Sequence, residues 1–343
     1  MNKAINICVC GGGNLGHVTA GFFASHGHKV SILTSRPSEW APVIKVQDCN
    51  GKVLEGALSK CSSNPQDVIP CAEIVLICLP GYAIANTLEA IKPYLDSAAI
   101  VGSVVSSTGF FFEAFKILPK QQPLFGFQRV PFISRVLDYG RRAELKGYKK
   151  ELFVAIENTA RKDAIRQELE LLFQTPVLLL NSFYEVSLSN SNPLLHPARL
   201  YTMWKDWTPD MSYATNPAFY EDWTLEASEL LVTMDEEFQS LIKKIGLREG
   251  CIPSILEYYE CEDALSLTKK IRSIPAFKGI LSPMSLDANG LYIPDFNSRY
   301  FTEDFPYGMR FIVETAELHN VEVRTIERVY KWGISHIGEM VTE

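Results

Sequence analysis

The chain has 343 residues, is 47% hydrophobic and 21% charged, and carries a formal net charge of -7. That length exceeds the usual single core and points to two domains, while the negative balance gives no electrostatic reason to expect nucleic acid or an anionic membrane as partner. No apolar run approaches the length needed to cross a bilayer, and the apolar start after Lys3 runs into glycines instead of a small-residue cleavage site, so a cytoplasmic location is expected.

The apolar run Ile5 to Cys10 predicts a first strand, which drops into Gly11, Gly13 and Gly16 at G-x-G-x-x-G spacing before an amphipathic segment, His17 to His26. Strand, glycine turn and helix in that order form a dinucleotide-binding fingerprint. Gly11 turns the chain, Gly13 lets the backbone approach a pyrophosphate and Gly16 lets helix and strand pack closely. The helix N-terminus, at Asn14 and Leu15, offers unpaired N–H groups to that phosphate. Lys29 to Leu33 predicts the second strand. An NAD site usually places an acidic residue about 20 residues past the glycines to bind the ribose 2′-OH. Here the strand ends Thr34-Ser35-Arg36. There is no carboxylate to repel a 2′-phosphate, and the Ser35 hydroxyl and Arg36 guanidinium can bind one. NADP(H) is therefore expected, with NAD as the alternative if Arg36 only caps a solvated loop.

Val43 to Val46 and Lys52 to Leu54, around Asn50-Gly51, predict a β-hairpin beside the sheet, and Asn64-Pro65 opens a short helical turn. The continuous apolarity of Glu73 to Cys78 predicts a parallel strand buried on both faces, whose C-terminal loop lays Leu79 and Pro80 against the cofactor. A helix over Tyr82 to Leu95, a strand over Ala98 to Val105, a strand over Phe153 to Ile156, a helix over Arg161 to Phe173 and a strand over Val177 to Leu180 complete a first domain, residues 1–182. In the second, residues 183–343, the period changes. Leu230, Met234, Phe238, Leu241 and Ile245 mark a long helix ended by Gly246, and Ile255 to Tyr259 and Tyr307 to His319 add further helical segments. The apolar stripes there fit a homodimer face or the domain's own core equally well. Eight cysteines include no C-x-x-C pair and no cysteine-histidine metal spacing. They are expected to be buried, reduced thiols, and no metal site is expected.

Two polar clusters interrupt the helical half. In Asn190-Ser191-Asn192-Pro193-Leu194-Leu195-His196-Pro197, the histidine follows polar residues in a segment otherwise heading into a core. It is either a satisfied structural group or one that exchanges a proton while a hydride moves. The run Asp295 to Gly308 sets charges among aromatics before Pro306 and Gly308. Arg299 there can grip a carboxylate by two parallel hydrogen bonds, and Asp304 can orient a histidine and stabilise its charged form. The alternative is a local surface ion pair from Arg299 to Glu303 or Asp304, which is worth little.

Together, the glycine turn, Pro193-Leu-Leu-His196-Pro197 and the Arg299 to Gly308 run resemble the octopine/nopaline (opine) dehydrogenase family, in order and over essentially the whole chain. The resemblance implies an α/β fold: a Rossmann domain followed by an all-helical domain like the C-terminal one of 6-phosphogluconate dehydrogenase. It implies His196 as catalytic acid/base paired with Asp304, Arg299 on a substrate carboxylate, and Asn192 beside the substrate. Pro131-Phe132-Ile133-Ser134-Arg135 is similar to the family's P-W-x-C-R segment, which adds Arg135 to the substrate contacts; Phe132 and Ser134 replace its usual aromatic and cysteine and imply a differently shaped pocket. The implied reaction is reversible reductive condensation of an amino acid with a 2-oxo acid using NAD(P)H, with substrate in the cleft between domains. A ketopantoate-reductase-like or 2-hydroxy-acid dehydrogenase is the alternative enzyme, and a catalytically silent NADP(H) sensor the alternative outside enzymes. Dependence of NADPH oxidation on an added amine separates the two enzyme readings.

Overall fold

The computed structural model describes residues 3–338, and the chain divides into one unit that ends at Ser189 and a second that starts at Asn190. The first unit runs β1 (Asn6–Cys10), α1 (Asn14–Ser25), β2 (Lys29–Leu33), β3 (Val43–Asp48), β4 (Val53–Ser62), β5 (Ile74–Ile77), α2 (Gly81–Ile91), β6 (Ile100–Ser103) and α3 (Phe110–Ile117). It continues through β7 (Leu124–Phe127), β8 (Phe132–Asp138), β9 (Arg142–Tyr148), β10 (Leu152–Glu157), α4 (Lys162–Phe173), β11 (Val177–Leu179) and α5 (Phe183–Ser187). All eleven strands join one sheet in the order β11-β10-β7-β6-β5-β1-β2-β4-β3-β9-β8.

The middle of that sheet explains the apolar runs. β1 pairs in parallel with β2 on one side and β5 on the other. Successive side chains of a strand face opposite ways, so Ile7 and Val9 pack with Phe22 and Phe23 on one face, while Cys8 and Cys10 pack with Ile84 and Leu88 on the other. A strand covered on both faces has no polar side to show. Because β2 and β5 lie on opposite flanks of β1, the strand order reverses there, and the carboxyl ends of these strands open a crevice.

Two features depart from the sequence reading. The hairpin of β3 and β4 is part of the sheet and not an insert beside it: the first half of β4 pairs antiparallel with β3, and its second half, from Leu58, pairs in parallel with β2. Beyond β3 a second hairpin, β8 and β9, extends the sheet to its edge. Its pattern is inverted, since Ile133 and Leu137 point outward and are half-exposed, at 52% and 53%. Alternation of burial without matching alternation of polarity leaves no strand signal to read.

The boundary also falls one short helix later than residues 182 and 183. Ser182 and Glu185 form a capping box on α5. The Phe183 N–H donates to Glu157 on β10 and the Gln128 amide donates to the Glu185 carbonyl, so α5 is bonded to the first unit. All eight cysteines are free thiols; Cys8, Cys10 and Cys78 are buried as expected, but Cys49 and Cys71 lie exposed in turns. Burial pushes the Cys78 thiol up to about 12 and the Cys61 thiol up to about 11, which keeps both protonated.

The second unit comprises α6 (Asn192–Trp204), α7 (Leu225–Ile245), α8 (Ile255–Tyr259), α9 (Ala264–Ser273), β12 (Met284–Leu286), β13 (Tyr292–Pro294), α10 (Arg299–Thr302), a π-helical turn (Phe305–Met309), α11 (Arg310–His319) and α12 (Arg324–Ile337). The apolar stripe of α7 buries Leu231, Met234, Phe238 and Leu241. Glu237 on its far side accepts from the Thr325 and Ile326 N–H groups, placing a carboxylate at the positive end of α12. The unit is not wholly helical, because β12 and β13 form a small antiparallel sheet. Among the described residues, no helix is long and apolar enough to cross a membrane.

Candidate active site

The crevice at the carboxyl ends of β1, β2 and β5 has a volume of about 690 Å³. Gly11 to Gly13, Thr34, Ser35, Arg36, Leu79 and Pro80 all line it. Gly11 adopts a φ of +121°, which turns the chain, and any Cβ at Gly16 would collide with the Gly11 carbonyl oxygen. These two positions therefore demand glycine. Around Gly13 the space is open, which leaves room for a pyrophosphate against the backbone. Gly13 also caps α1 without a side-chain hydrogen bond, so the partial positive charge of the helix end faces the crevice. The donor set fits a dinucleotide. Asn14, Leu15 and Gly16 are not among the lining residues: the Asn14 side-chain oxygen accepts from the Val136 N–H at 2.8 Å, and Leu15 packs against the core.

Sequence reasoning overlooked His17 and Tyr139. Buried His17 bridges its Nδ1 to the Gly13 carbonyl at 3.0 Å and its Nε2 to the Gly140 N–H at 2.7 Å. A carbonyl accepts and an N–H donates, so the proton sits on Nδ1. Burial lowers the pKa of this imidazole and holds it neutral, which pins the glycine turn to the β8–β9 hairpin. Tyr139 lines the crevice and carries the Arg36 guanidinium 3.7 Å above its ring, while Arg36 also pairs with Glu39 at 3.4 Å. Among the described residues, no Asp or Glu lines the crevice.

In the second unit the two polar clusters meet. His196 lies on α6, whose first turns contain Pro193 and Pro197. Proline is tolerated near a helix start, and Pro197 forgoes only the bond to the Pro193 carbonyl. Against this turn sits the π-helical turn; a Cβ at Gly308 would strike the Pro193 ring, so the glycine lets the two backbones close up. That contact brings Asp304 to His196, with Nδ1 to Oδ2 at 2.7 Å. The carboxylate can only accept, so Nδ1 carries hydrogen and Nε2 is left to exchange a proton. Nε2 in turn meets the Tyr220 hydroxyl at 2.8 Å. His196 is 8% exposed as a residue, and its ring is edged by Phe219 and Tyr300.

The remaining predicted residues are placed differently. Arg299 donates from Nε and Nη2 to the two oxygens of Glu303, at 2.8 and 2.7 Å, with its side chain 82% exposed. This is the two-pronged grip expected of it, made within α10 to a protein carboxylate. Asn192 is exposed on the first turn of α6, with its N–H donating to the Asn190 side chain. Arg135 is exposed on the edge strand β8, opposite Glu144 of β9. Among the described residues, no group of histidine, cysteine, aspartate or glutamate is arranged to hold a metal.

The alpha-helical domain of NAD/NADP octopine/nopaline dehydrogenase matches residues 179–336, a span that contains His196, Arg299 and Asp304. Over nearly its whole length the chain is similar to members of the octopine/nopaline (opine) dehydrogenase family. The chain is an NAD(P)-dependent dehydrogenase similar to the opine dehydrogenases. Residues 6–118 match the N-terminus of NAD-dependent glycerol-3-phosphate dehydrogenase, in keeping with the nucleotide-binding sheet. An opine dehydrogenase of Haliotis discus hannai is 26% identical over 99% of this chain and 92% of its own. The solved octopine dehydrogenase with NADH and L-arginine is 25% identical, with a TM-score of 0.85 over 98% of this chain and 90% of that one. Yersinopine dehydrogenase with NADP⁺ bound shares the fold, at 12% identity and a TM-score of 0.68 over 99% and 94%.

Proposed function

We propose that this chain is an opine dehydrogenase that reduces the imine formed between an amino acid and a 2-oxo acid, with NADP(H) as its preferred cofactor and His196 as the acid/base. The observation that carries the reading is the His196–Asp304 pair, with His196 buried and Asp304 half-buried, which leaves one imidazole nitrogen to move a proton. Solved octopine dehydrogenases hold NADH with L-arginine and NADH with pyruvate, an amine and a 2-oxo acid. When bound, the nicotinamide supplies the hydride. The chain supplies position and protons: the glycine turn and α1 hold the pyrophosphate, Asp304 fixes the imidazole tautomer, and Arg299 anchors a substrate carboxylate in place of Glu303. Asn192, one turn before His196 on α6, lies on the same helix face and adds a polar contact to substrate. Eight free thiols suit a reducing cytoplasm. The test is consumption of NADPH with a 2-oxo acid in the presence and absence of amino acids; consumption is expected only when an amine is present. Equal rates without amine would favour a ketone reductase.

Two variants test the individual assignments. Arg299→Ala is expected to raise KM for the 2-oxo acid roughly tenfold or more, the value of hydrogen bonds to a charged group, with little change in KM for NADPH. An unchanged KM for the 2-oxo acid would confine Arg299 to its bond with Glu303. Arg36→Glu places a carboxylate where a 2′-phosphate is proposed to sit. It is expected to weaken NADPH binding by about tenfold or more and leave NADH binding within a few-fold. Equal losses for both nucleotides would remove Arg36 from cofactor discrimination.

A further inference from the structure

Tyr139 lines the nucleotide crevice although it comes from the hairpin at the edge of the sheet. It sits at the tip between β8 and β9, and that tip is fastened by bonds that do not use its ring. The Val136 N–H donates to the Asn14 side chain at 2.8 Å, the Gly140 N–H to His17 Nε2 at 2.7 Å, and the Ala41 N–H to the Gly140 carbonyl at 3.0 Å. So held, the ring is laid against the glycine turn. A Cβ on Gly12 would collide with the Tyr139 hydroxyl, and that hydroxyl lies 3.4 Å from the Thr34 hydroxyl at the end of β2. Gly12 is not one of the three spaced glycines of the fingerprint; its lack of a side chain is what admits the tyrosine. His17 and Trp40 meet the ring edge-on, at centroid distances of 4.8 and 5.8 Å. What the ring carries is the Arg36 guanidinium, 3.7 Å from its centroid. A cation at that distance is attracted by the negative face of the ring. Glu39 holds the same guanidinium more loosely, at 3.4 Å between side chains that are both about half-exposed and screened by water.

We propose that Tyr139 sets the choice of nucleotide: it is the positioning residue for Arg36, and its ring keeps the guanidinium in the crevice, ready for the 2′-phosphate of NADP(H). The proposal rests on the NADP-preferring reading above. A guanidinium recognises phosphate through the N–H groups on its rim, in its own plane. A ring lying on one face therefore holds the group without competing for those donors. An arginine left to wander in water must be ordered when the phosphate arrives, and that ordering counts against binding; one already laid on a ring has most of it done. The contact does nothing comparable for NAD(H), whose 2′-hydroxyl carries no charge for the guanidinium to meet. The run Thr34-Ser35-Arg36 thus supplies the cation, while a hairpin far along the chain decides where that cation stands. Discrimination between the nucleotides is divided between β2 and a hairpin outside the β1, β2 and β5 centre of the sheet.

The test measures dissociation constants for NADPH and NADH by titration calorimetry in the unaltered protein, in Tyr139→Leu, Tyr139→Phe and Arg36→Gln, and in the double variant of Tyr139→Leu with Arg36→Gln. Leucine removes the ring face; phenylalanine keeps it and loses only the hydroxyl. Tyr139→Leu is expected to weaken NADPH binding roughly three- to tenfold and to leave NADH within about twofold, the scale of a partly exposed cation–ring contact. Tyr139→Phe should bind both nucleotides as the unaltered protein does. Added to Arg36→Gln, Tyr139→Leu should change nothing further, because residues that act through one contact are not additive. The hairpin keeps its bonds to Asn14, His17 and Ala41 in every variant, so the thermal midpoint without nucleotide should stay close to the original. Tyr139→Met, whose flexible chain fills the same space without a ring, repeats the measurement if leucine packs badly. Equal losses of NADPH and NADH on removing the ring, or an undiminished preference for NADPH, would overturn the role of Tyr139 and leave the NADP-preferring reading to Arg36 itself. An unaltered protein that binds NADH as tightly as NADPH would overturn that reading, and the role of Tyr139 with it.

Discussion

His196→Ala is expected to lower turnover by roughly 10² to 10⁴, the usual contribution of a general acid or base. NADPH affinity should stay close to that of the unaltered enzyme. The separation follows from which residues are involved: the nucleotide crevice is lined by residues between Cys10 and Tyr139 of the first unit, while the imidazole is bonded to Asp304 and Tyr220 of the second. The substitution also leaves a carboxylate and a phenol facing a small void, and each buried polar group without its partner costs about 1 to 3 kcal/mol. Some loss of thermal midpoint is therefore expected, and the informative quantity is kcat measured well below that midpoint. Asp304→Asn should act in the same direction with a smaller effect on packing, because an amide of the same shape no longer compels hydrogen onto Nδ1. Steady-state rates, with nucleotide binding followed by fluorescence, check both parts. Full activity in His196→Ala would remove the imidazole from the reaction.

Gly16→Val is expected to abolish measurable nucleotide binding. Any Cβ at this position meets the Gly11 carbonyl oxygen, which is backbone and cannot rotate away. The turn must open, and with it moves the stretch of chain whose N–H groups are proposed to face the pyrophosphate. Overpacking of this kind costs typically 1 to 3 kcal/mol of stability, less than a domain of this size holds, so the protein should still fold with a lowered midpoint. Titration calorimetry with NADPH reads the first effect and thermal melting the second. Tight binding in a folded Gly16→Val variant would mean that the dinucleotide does not lie on this turn.

How far the sequence reveals such sites depends on how local the signal is. Gly11, Gly13 and Gly16 lie within one turn, and their strand and helix adjoin them, so spacing alone locates the crevice. Leu79 and Pro80 follow from the apolarity of β5, since a strand with no polar face must be central. The meeting of His196 with Asp304 spans over a hundred residues and has no periodic trace. Only the resemblance of the two motifs to one family suggested it; what achieves it is the fit of Gly308 against Pro193. Tyr220 and Arg199 carry no local signature at all. An arginine in a helix ordinarily faces solvent, and nothing in the order of residues says that Arg199 turns inward, donating to the Phe219 and Asp222 carbonyls, to hold the loop that carries Tyr220. Arg299 illustrates the opposite limit: its pairing with Glu303 at i,i+4 was legible as an ordinary helix ion pair, and its proposed grip on substrate requires that pair to exchange.

The most direct test of the account is the mass of the product formed from NADPH, a 2-oxo acid and an amino acid. The predicted product is a secondary amine with the mass of the two acids less one water plus two hydrogens, one from hydride and one from the proton supplied by His196. A 2-hydroxy acid, formed at the same rate whether or not the amino acid is present, would contradict it.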